Sequence, residues 1–174
     1  VNTLPLTAPA ATTAAGAPAP DITITVHGHR PAPQGSKRHV GNGRLIEQSK
    51  RVKPWRAAVE DAAVAAMTSG HIGATPVHRP PLDGPLSIEI AFTVRKPASA
   101  PKRRTTWPTT RDSGDIDKLL RATFDALTTS GAIADDSRVV EVVARKVFPG
   151  EGLDALDEPG AVIRVWRLPT AVAQ

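Results

Sequence analysis

The residues of this chain best suited to chemistry are two short acidic stretches, Asp115-Ile116-Asp117 and Asp135-Asp136. Carboxylates gathered at one place repel one another unless a cation relieves them. A set of hard oxygen donors suits Mg2+, with Mn2+ as a substitute, over softer metals. Each stretch alone has an ordinary explanation, because acids at a helix start complement the peptide dipole and Asp is a common turn residue. The joint pattern is more demanding: acid-x-acid, about four helical turns, Gly131, then a double acid directly before a valine-rich run. A helix followed by a turn is expected to return Asp135 and Asp136 to the neighbourhood of Asp115 and Asp117. A divalent-metal site on a basic chain points to phosphodiester chemistry.

Several elements must position these acids. The main helix is expected from about Gly114 to Thr129, with Leu120, Phe124 and Leu127 on its buried face, Ser113 as its cap and Gly131 as its stop. Arg138 to Phe148 reads as a strand. Upstream, Ile22, Ile24 and Val26 alternate with Thr23 and Thr25, and Leu86, Ile88, Ile90, Phe92 and Val94 alternate with smaller or polar residues, so both runs predict half-buried strands. An earlier helix begins near Pro54, which is tolerated in a first turn, carries Trp55 and Val59 towards the core, and stops at Gly70. Residues 73 to 85 read as a Pro-rich connection and His27 to Asn42 as a loop, with a short strand at Arg44-Leu45-Ile46. Pro97 to Asp112 is a long basic loop, and loops of that length are usually functional. Gly150 to Gly160 is an acidic loop, and Ala161 to Leu168 is a last strand. The resulting fold class is α+β, a small mixed sheet packed with two main helices in a single domain. Residues 1–20 form an Ala/Pro/Thr-rich tail without a charged side chain, residues 21–169 the folded domain, and residues 170–174 a frayed end.

The chain has 174 residues, 22 Lys and Arg against 17 Asp and Glu, and a formal charge of +5. A basic balance of this kind favours a polyanionic partner. Cysteine is absent, which excludes disulfide scaffolds, zinc-thiolate sites and cysteine nucleophiles. No apolar run approaches a membrane span, no signal-peptide pattern is present, and a soluble cytoplasmic protein is expected. The histidines do not build a site: His27 and His29 share a Gly/Pro loop without further ligands, and the others are scattered.

The run Asp115-Ile116-Asp117-Lys118-Leu119-Leu120-Arg121-Ala122-Thr123-Phe124-Asp125-Ala126-Leu127, then Gly131, then Asp135-Asp136-Ser137-Arg138-Val139-Val140, resembles the RusA-type Holliday-junction resolvases of bacteria and their phages. The resemblance is strong over residues 111 to 148 and looser upstream. It implies a Mg2+-dependent endonuclease that works as a homodimer, nicks a four-way DNA junction symmetrically in recombination and repair, and needs no other cofactor. Carried over by position, Asp115, Asp117 and Asp136 are the essential carboxylates and metal ligands, with Asp135 as a neighbouring acid. The family commonly has a lysine four positions after the second aspartate and often an asparagine directly after it. Here Arg121 and Lys118 stand at those positions. Arg121 can contact phosphate through two parallel hydrogen bonds but cannot act as a general acid, and Lys118 could assume part of the role.

Two basic groups flank this run in sequence. Lys37, Arg38, Arg51 and Lys53 belong to the first loop and the start of the first helix, and Lys102, Arg103, Arg104 and Arg111 precede the acids. As sets they predict contact with the DNA backbone, hence shape recognition and steep salt dependence. Trp107, between basic residues and Pro108, either stacks on an unpaired base or packs over its own loop. The alternatives to a junction resolvase are a broader flap or fork nuclease, a branched-DNA-binding protein without catalysis, and a small-nucleotide hydrolase, for which the long basic loops would be superfluous.

Overall fold

The computed structural model of the protein describes residues 18–35, 37–39, 45–47, 50–72, 75–101 and 104–170. The tail expected over 1–20 and the frayed end over 170–174 fall almost wholly outside these residues, as do Lys102 and Arg103.

The central sheet has four strands: β1 (Ile22–Val26), β6 (Leu86–Thr93), β7 (Val139–Val147) and β8 (Gly160–Arg167), in the order β1-β8-β6-β7. β8 runs antiparallel to both β1 and β6, whereas β6 and β7 are parallel. Two short antiparallel pairs lie outside it: β2 (Lys37–His39) with β3 (Leu45–Glu47), and β4 (Thr68–Ile72) with β5 (Thr75–His78). The helices are α1 (Val52–Met67) and α2 (Ile116–Thr129).

Alternation along the strands builds one apolar face. Ile22, Ile24 and Val26, Leu86, Ile88, Ile90 and Phe92, and Ala161, Ile163 and Val165 are all buried in one cluster with residues of both helices. α2 contributes Leu119, Ala122, Thr123, Ala126 and Leu127, a stripe at helical spacing. Leu120 and Phe124, expected on that stripe, are only partly buried beside it. Trp55 of α1 is 1% exposed. Its ring lies 6.3 Å from that of Phe92, and its indole N–H donates to Thr123 Oγ1 at 3.3 Å, which locks α1 to α2. Emptying that site by Trp55→Ala would cost on the order of 3–5 kcal/mol.

The opposite face of the sheet mixes charged residues with buried Ala91, Val147 and Val162 and is partly covered by the loop after β7. Asp154 in that loop receives two hydrogen bonds from Arg164 at 2.6 Å each, and Arg145 of β7 pairs with Glu89 of β6. Leu156 N–H donates to Thr93 Oγ1 at 3.0 Å.

The expected α+β class and helices on one face of a mixed sheet are present. The β4–β5 pair is a correction: α1 ends at Met67 rather than Gly70, and part of the segment read as a Pro-rich connection pairs back as a strand. Ser113 does not cap α2. Its hydroxyl donates to the carbonyls of Pro108 and Thr110 at 2.9 and 2.6 Å, and Asp115 occupies the cap position. Gly131 does stop α2, at φ 73°, a conformation that costs glycine little.

Candidate active site

α2 and β7 run in opposite directions, and this decides where the acids lie. Lys146, near the end of β7, donates from Nζ to the Gly114 carbonyl at 2.7 Å and to Ser113 Oγ at 3.0 Å. The start of α2, with Asp115 and Asp117, is therefore tied to the end of β7. Asp135 and Asp136 precede the start of β7, in a short 3-10 turn over Asp136–Arg138. From Val139 to Lys146 the strand covers roughly 23 Å at about 3.3 Å per residue. The expectation that a helix and a turn return the second acidic pair to the first is not met. Among the described residues no three Asp, Glu or His side chains stand together as a metal-holding group.

At the α2 start, Gly114 has φ 78°, and a Cβ there would meet the Pro33 ring at 3.1 Å. Glycine thus lets the chain turn into the helix against residue 33. Asp115 holds the cap position without a capping hydrogen bond from its side chain. Its carboxylate instead accepts from Lys118 Nζ at 2.7 Å. That bond, with the nearby charges of Lys118, Lys146 and Arg111, holds the Asp115 carboxyl below the usual carboxylate range, and Asp115 in turn raises Lys118. Asp117 lies in the first turn and is exposed. Asp117, Lys118 and Arg121 line a hollow with Gln34 and Gly35, and Gln34 N–H donates to the Lys118 carbonyl at 3.0 Å. Arg121 makes no ion pair with Asp117 or Asp125. Asp125 is taken by Arg56 at 3.2 Å.

Several of the expected basic residues converge on this end. Asp112 binds Arg30 and lies 3.9 Å from Arg51, so the loop before α2 is pinned to the first basic segment. Arg30, then Arg51 and Arg95, hold Asp112 below its ordinary range. Lys53 and Arg56 line a second hollow that shares Gln34 with the first. Arg111 is exposed in the turn before α2, and Arg104 is exposed upstream. Lys37 and Arg38 are described only as backbone, in β2. Trp107 is 66% exposed and does not pack over its loop. At the other end, a bond from the Ser137 side chain, with a second from Ser137 N–H at 2.9 Å, holds the Asp135 carboxyl below the usual carboxylate range. Asp136 is exposed beside it.

A family model described as endodeoxyribonuclease RusA matches residues 29–156, a span containing both hollows and all four acids. The chain belongs to the RusA endodeoxyribonuclease family. No individual curated protein is similar enough to count as a match. As a RusA endodeoxyribonuclease it is a nuclease whose partner is DNA, and no helix among its described residues is long and apolar enough to cross a membrane. In this RusA family member Lys146 is the site residue that sequence reasoning missed. The available signal was its parity: it shares a strand face with Val142 and Ala144, where a third apolar residue would be expected.

Proposed function

We propose that the protein is a Mg2+-dependent endonuclease that resolves four-way DNA junctions as a homodimer, each subunit nicking one strand. The observation that carries this reading is the start of α2. Two exposed carboxylates, neither consumed in capping, stand there in a ring of cations from Lys118, Arg121, Arg111 and Lys146. Their donor set is all oxygen, which suits Mg2+ or Mn2+. When bound, such a metal would make a water nucleophilic near neutral pH and offset charge on the phosphorus. Asp115 and Asp117 would hold it, and Lys118 would release Asp115 to do so. Arg121 lines the hollow with no ion pair among the described residues and would grip a phosphate oxygen without exchanging a proton. Lys53, Arg51 and Arg104 would hold the DNA backbone on either side.

Asp136, at the other end of β7, would complete the set in the partner's site rather than its own. A two-fold dimer can bring the start of one β7 to the end of the other, and two-fold symmetry also matches the junction. Labelled four-way junction, linear duplex and flap substrates, each with Mg2+ or EDTA, test the function. Paired nicks confined to the junction and to Mg2+ support it. Equal cutting of flaps would widen the substrate class, and binding without cutting in Mg2+ or Mn2+ would leave a non-catalytic junction binder. Asp117→Asn should abolish nicking while junction binding is kept or tightened, because a negative charge leaves a phosphate-facing surface.

A further inference from the structure

The aromatic side chains of this chain are three Trp and three Phe, with no Tyr. Trp55, Phe92 and Phe148 are buried, and Phe124 is partly buried against the core. Trp166 is half-buried and donates its indole N–H to the Pro18 carbonyl at 2.8 Å. Trp107 departs from all of them, with two thirds of its surface in solvent. We propose that Trp107 is a base-stacking residue, whose indole lies against a nucleobase unpaired at the branch point of DNA, on the nucleotide next to the phosphate held at the α2 start.

The loop holds this residue without using its ring. Thr106 N–H donates to Glu151 Oε2 at 3.2 Å, and Glu151 is itself paired with Lys96. Thr109 N–H donates to the Trp107 carbonyl at 2.9 Å. Pro108 is buried, and its carbonyl accepts from the buried Ser113 hydroxyl at 2.9 Å. A proline also confines the residue before it to extended backbone. The chain on both sides of Trp107 is thus fixed by bonds to other segments, and the indole is presented in place. A contact surface that is already ordered loses little freedom on binding.

The surroundings fit a nucleotide. Trp107, Pro108, Ile116 and Ala144 line an open hollow together with Lys146. Apolar walls suit the face of a base, and the cation suits the phosphate attached to it. Ile116, itself partly exposed, stands between Asp115 and Asp117, so the hollow and the acids share the first turn of α2. Lys146 links the two by its bond to the Gly114 carbonyl at 2.7 Å. Exposed Arg104 and Arg111 lie on either side of Trp107 in the loop. A hollow set among these cations favours a polyanion over an apolar protein segment. Phosphate contacts position DNA without distinguishing its bases, whereas stacking needs a base whose face is free. In linear duplex those faces are covered by neighbouring pairs, so the contact selects branched DNA. Its placement beside the cut rests on the nuclease reading above; the stacking itself does not.

The test is binding of labelled four-way junction and linear duplex in EDTA by the wild type, Trp107→Ala and Trp107→Phe. Trp107→Ala should raise the junction Kd about tenfold and leave the duplex Kd unchanged, while Trp107→Phe keeps most of the affinity. The salt dependence should be the same for all three, because no charge is lost. A second arm removes the base instead, with abasic nucleotides placed one at a time around the branch point. At one position the wild-type Kd should rise by a similar factor and that of Trp107→Ala should rise no further. Trp107 fluorescence, taken as the difference between wild type and Trp107→Phe, should be quenched by acrylamide at every protein concentration and shielded once junction is added. An unchanged junction Kd in Trp107→Ala, an equal loss on duplex, or abasic losses that add to the variant's at every position would each overturn the assignment. Shielding that grows with protein concentration in the absence of DNA would give the ring to another copy of the chain and overturn it too. If Trp107→Ala does not fold, the abasic series with Trp107→Phe and the fluorescence still decide. A wild type that cuts no junction in Mg2+ while Trp107→Ala loses junction affinity would sink the nuclease reading and leave the stacking standing.

Discussion

The separation of the acids makes a quantitative prediction for mixed dimers. Asp115 and Asp117 lie at the end of β7 bonded by Lys146, and Asp136 lies before its start, about 23 Å of strand away. No metal can be held by side chains at both ends of one chain. If each site takes Asp136 from the partner, Asp117→Asn and Asp136→Asn proteins are both inactive alone. In a heterodimer of the two, one site receives both substitutions and the other receives neither. Free subunit exchange between equal amounts makes about half of all dimers heterodimers, each with one intact site, so about one quarter of the wild-type sites return. The assay is nicking of one labelled junction strand by each protein alone and after mixing, with exchange verified by mass on tagged subunits. Restored activity should consist of single nicks, since no mixed dimer has two working sites. If exchange is complete and mixing restores nothing, the carboxylates act within one chain and the proposed sharing is wrong.

Two further outcomes follow from contacts away from the acids. Asp154 accepts two hydrogen bonds from Arg164, which, with the charges of Arg164 and Arg145, hold its carboxyl below the ordinary range. A carboxyl lowered by folding stabilises above its unfolded pKa, and that contribution disappears as pH falls through the folded value. Asp154→Asn keeps a side chain that tolerates φ 60° and should cost about 2 kcal/mol at pH 7, the scale of a hydrogen bond to a charged group, lowering Tm by roughly 4–8 °C. The gap should close in melts carried below the usual carboxylate range, and a gap that persists there would refute the charge account. Lys146→Met keeps the side-chain stem but removes two hydrogen bonds to the Ser113–Gly114 turn. It should slow nicking about tenfold by loosening the placement of Asp115 with little change in junction Kd, and a lower Tm at an unchanged rate would make Lys146 purely structural.

What could be read from the sequence depended on whether a segment is packed on one face. β1 and β6 announce themselves because Ile22-Ile24-Val26 and Leu86-Ile88-Ile90 carry the period of elements with one buried side; α2 is legible as a helix from Leu120, Phe124 and Leu127, but only Leu127 of these is fully buried, and Leu119, Ala122, Thr123 and Ala126 complete the stripe. The β4–β5 pair has no such period: Thr75, Pro76 and His78 are exposed, and Pro76 and Gly70 both argue against a strand. Trp55 was legible as core, while its bond to Thr123 depends on how two helices pack and has no local signal. The acids show a different limit. A short turn after a helix leaves the chain at the helix's end, and a second element of comparable length is needed to return to its start. In this protein that element is β7, and the residue it delivers to the α2 start is Lys146, not Asp136.

This arrangement bears on how an isolated chain avoids carrying a strained acidic cluster. Three carboxylates converging within one subunit would repel one another wherever the metal is absent, and folding would bear that cost. In the structure each acid instead has its own relief: Lys118 neutralises Asp115, a turn N–H satisfies Asp135, and Asp117 and Asp136 stand exposed to solvent. On the proposed reading, repulsion arises only when two copies meet, at a place already ringed by Lys118, Arg121 and Lys146 and facing DNA. Cutting by a lone subunit would then be suppressed by geometry, since neither end of β7 holds a complete set. The two nicks of a junction would be linked because the contact that completes one site completes its twin.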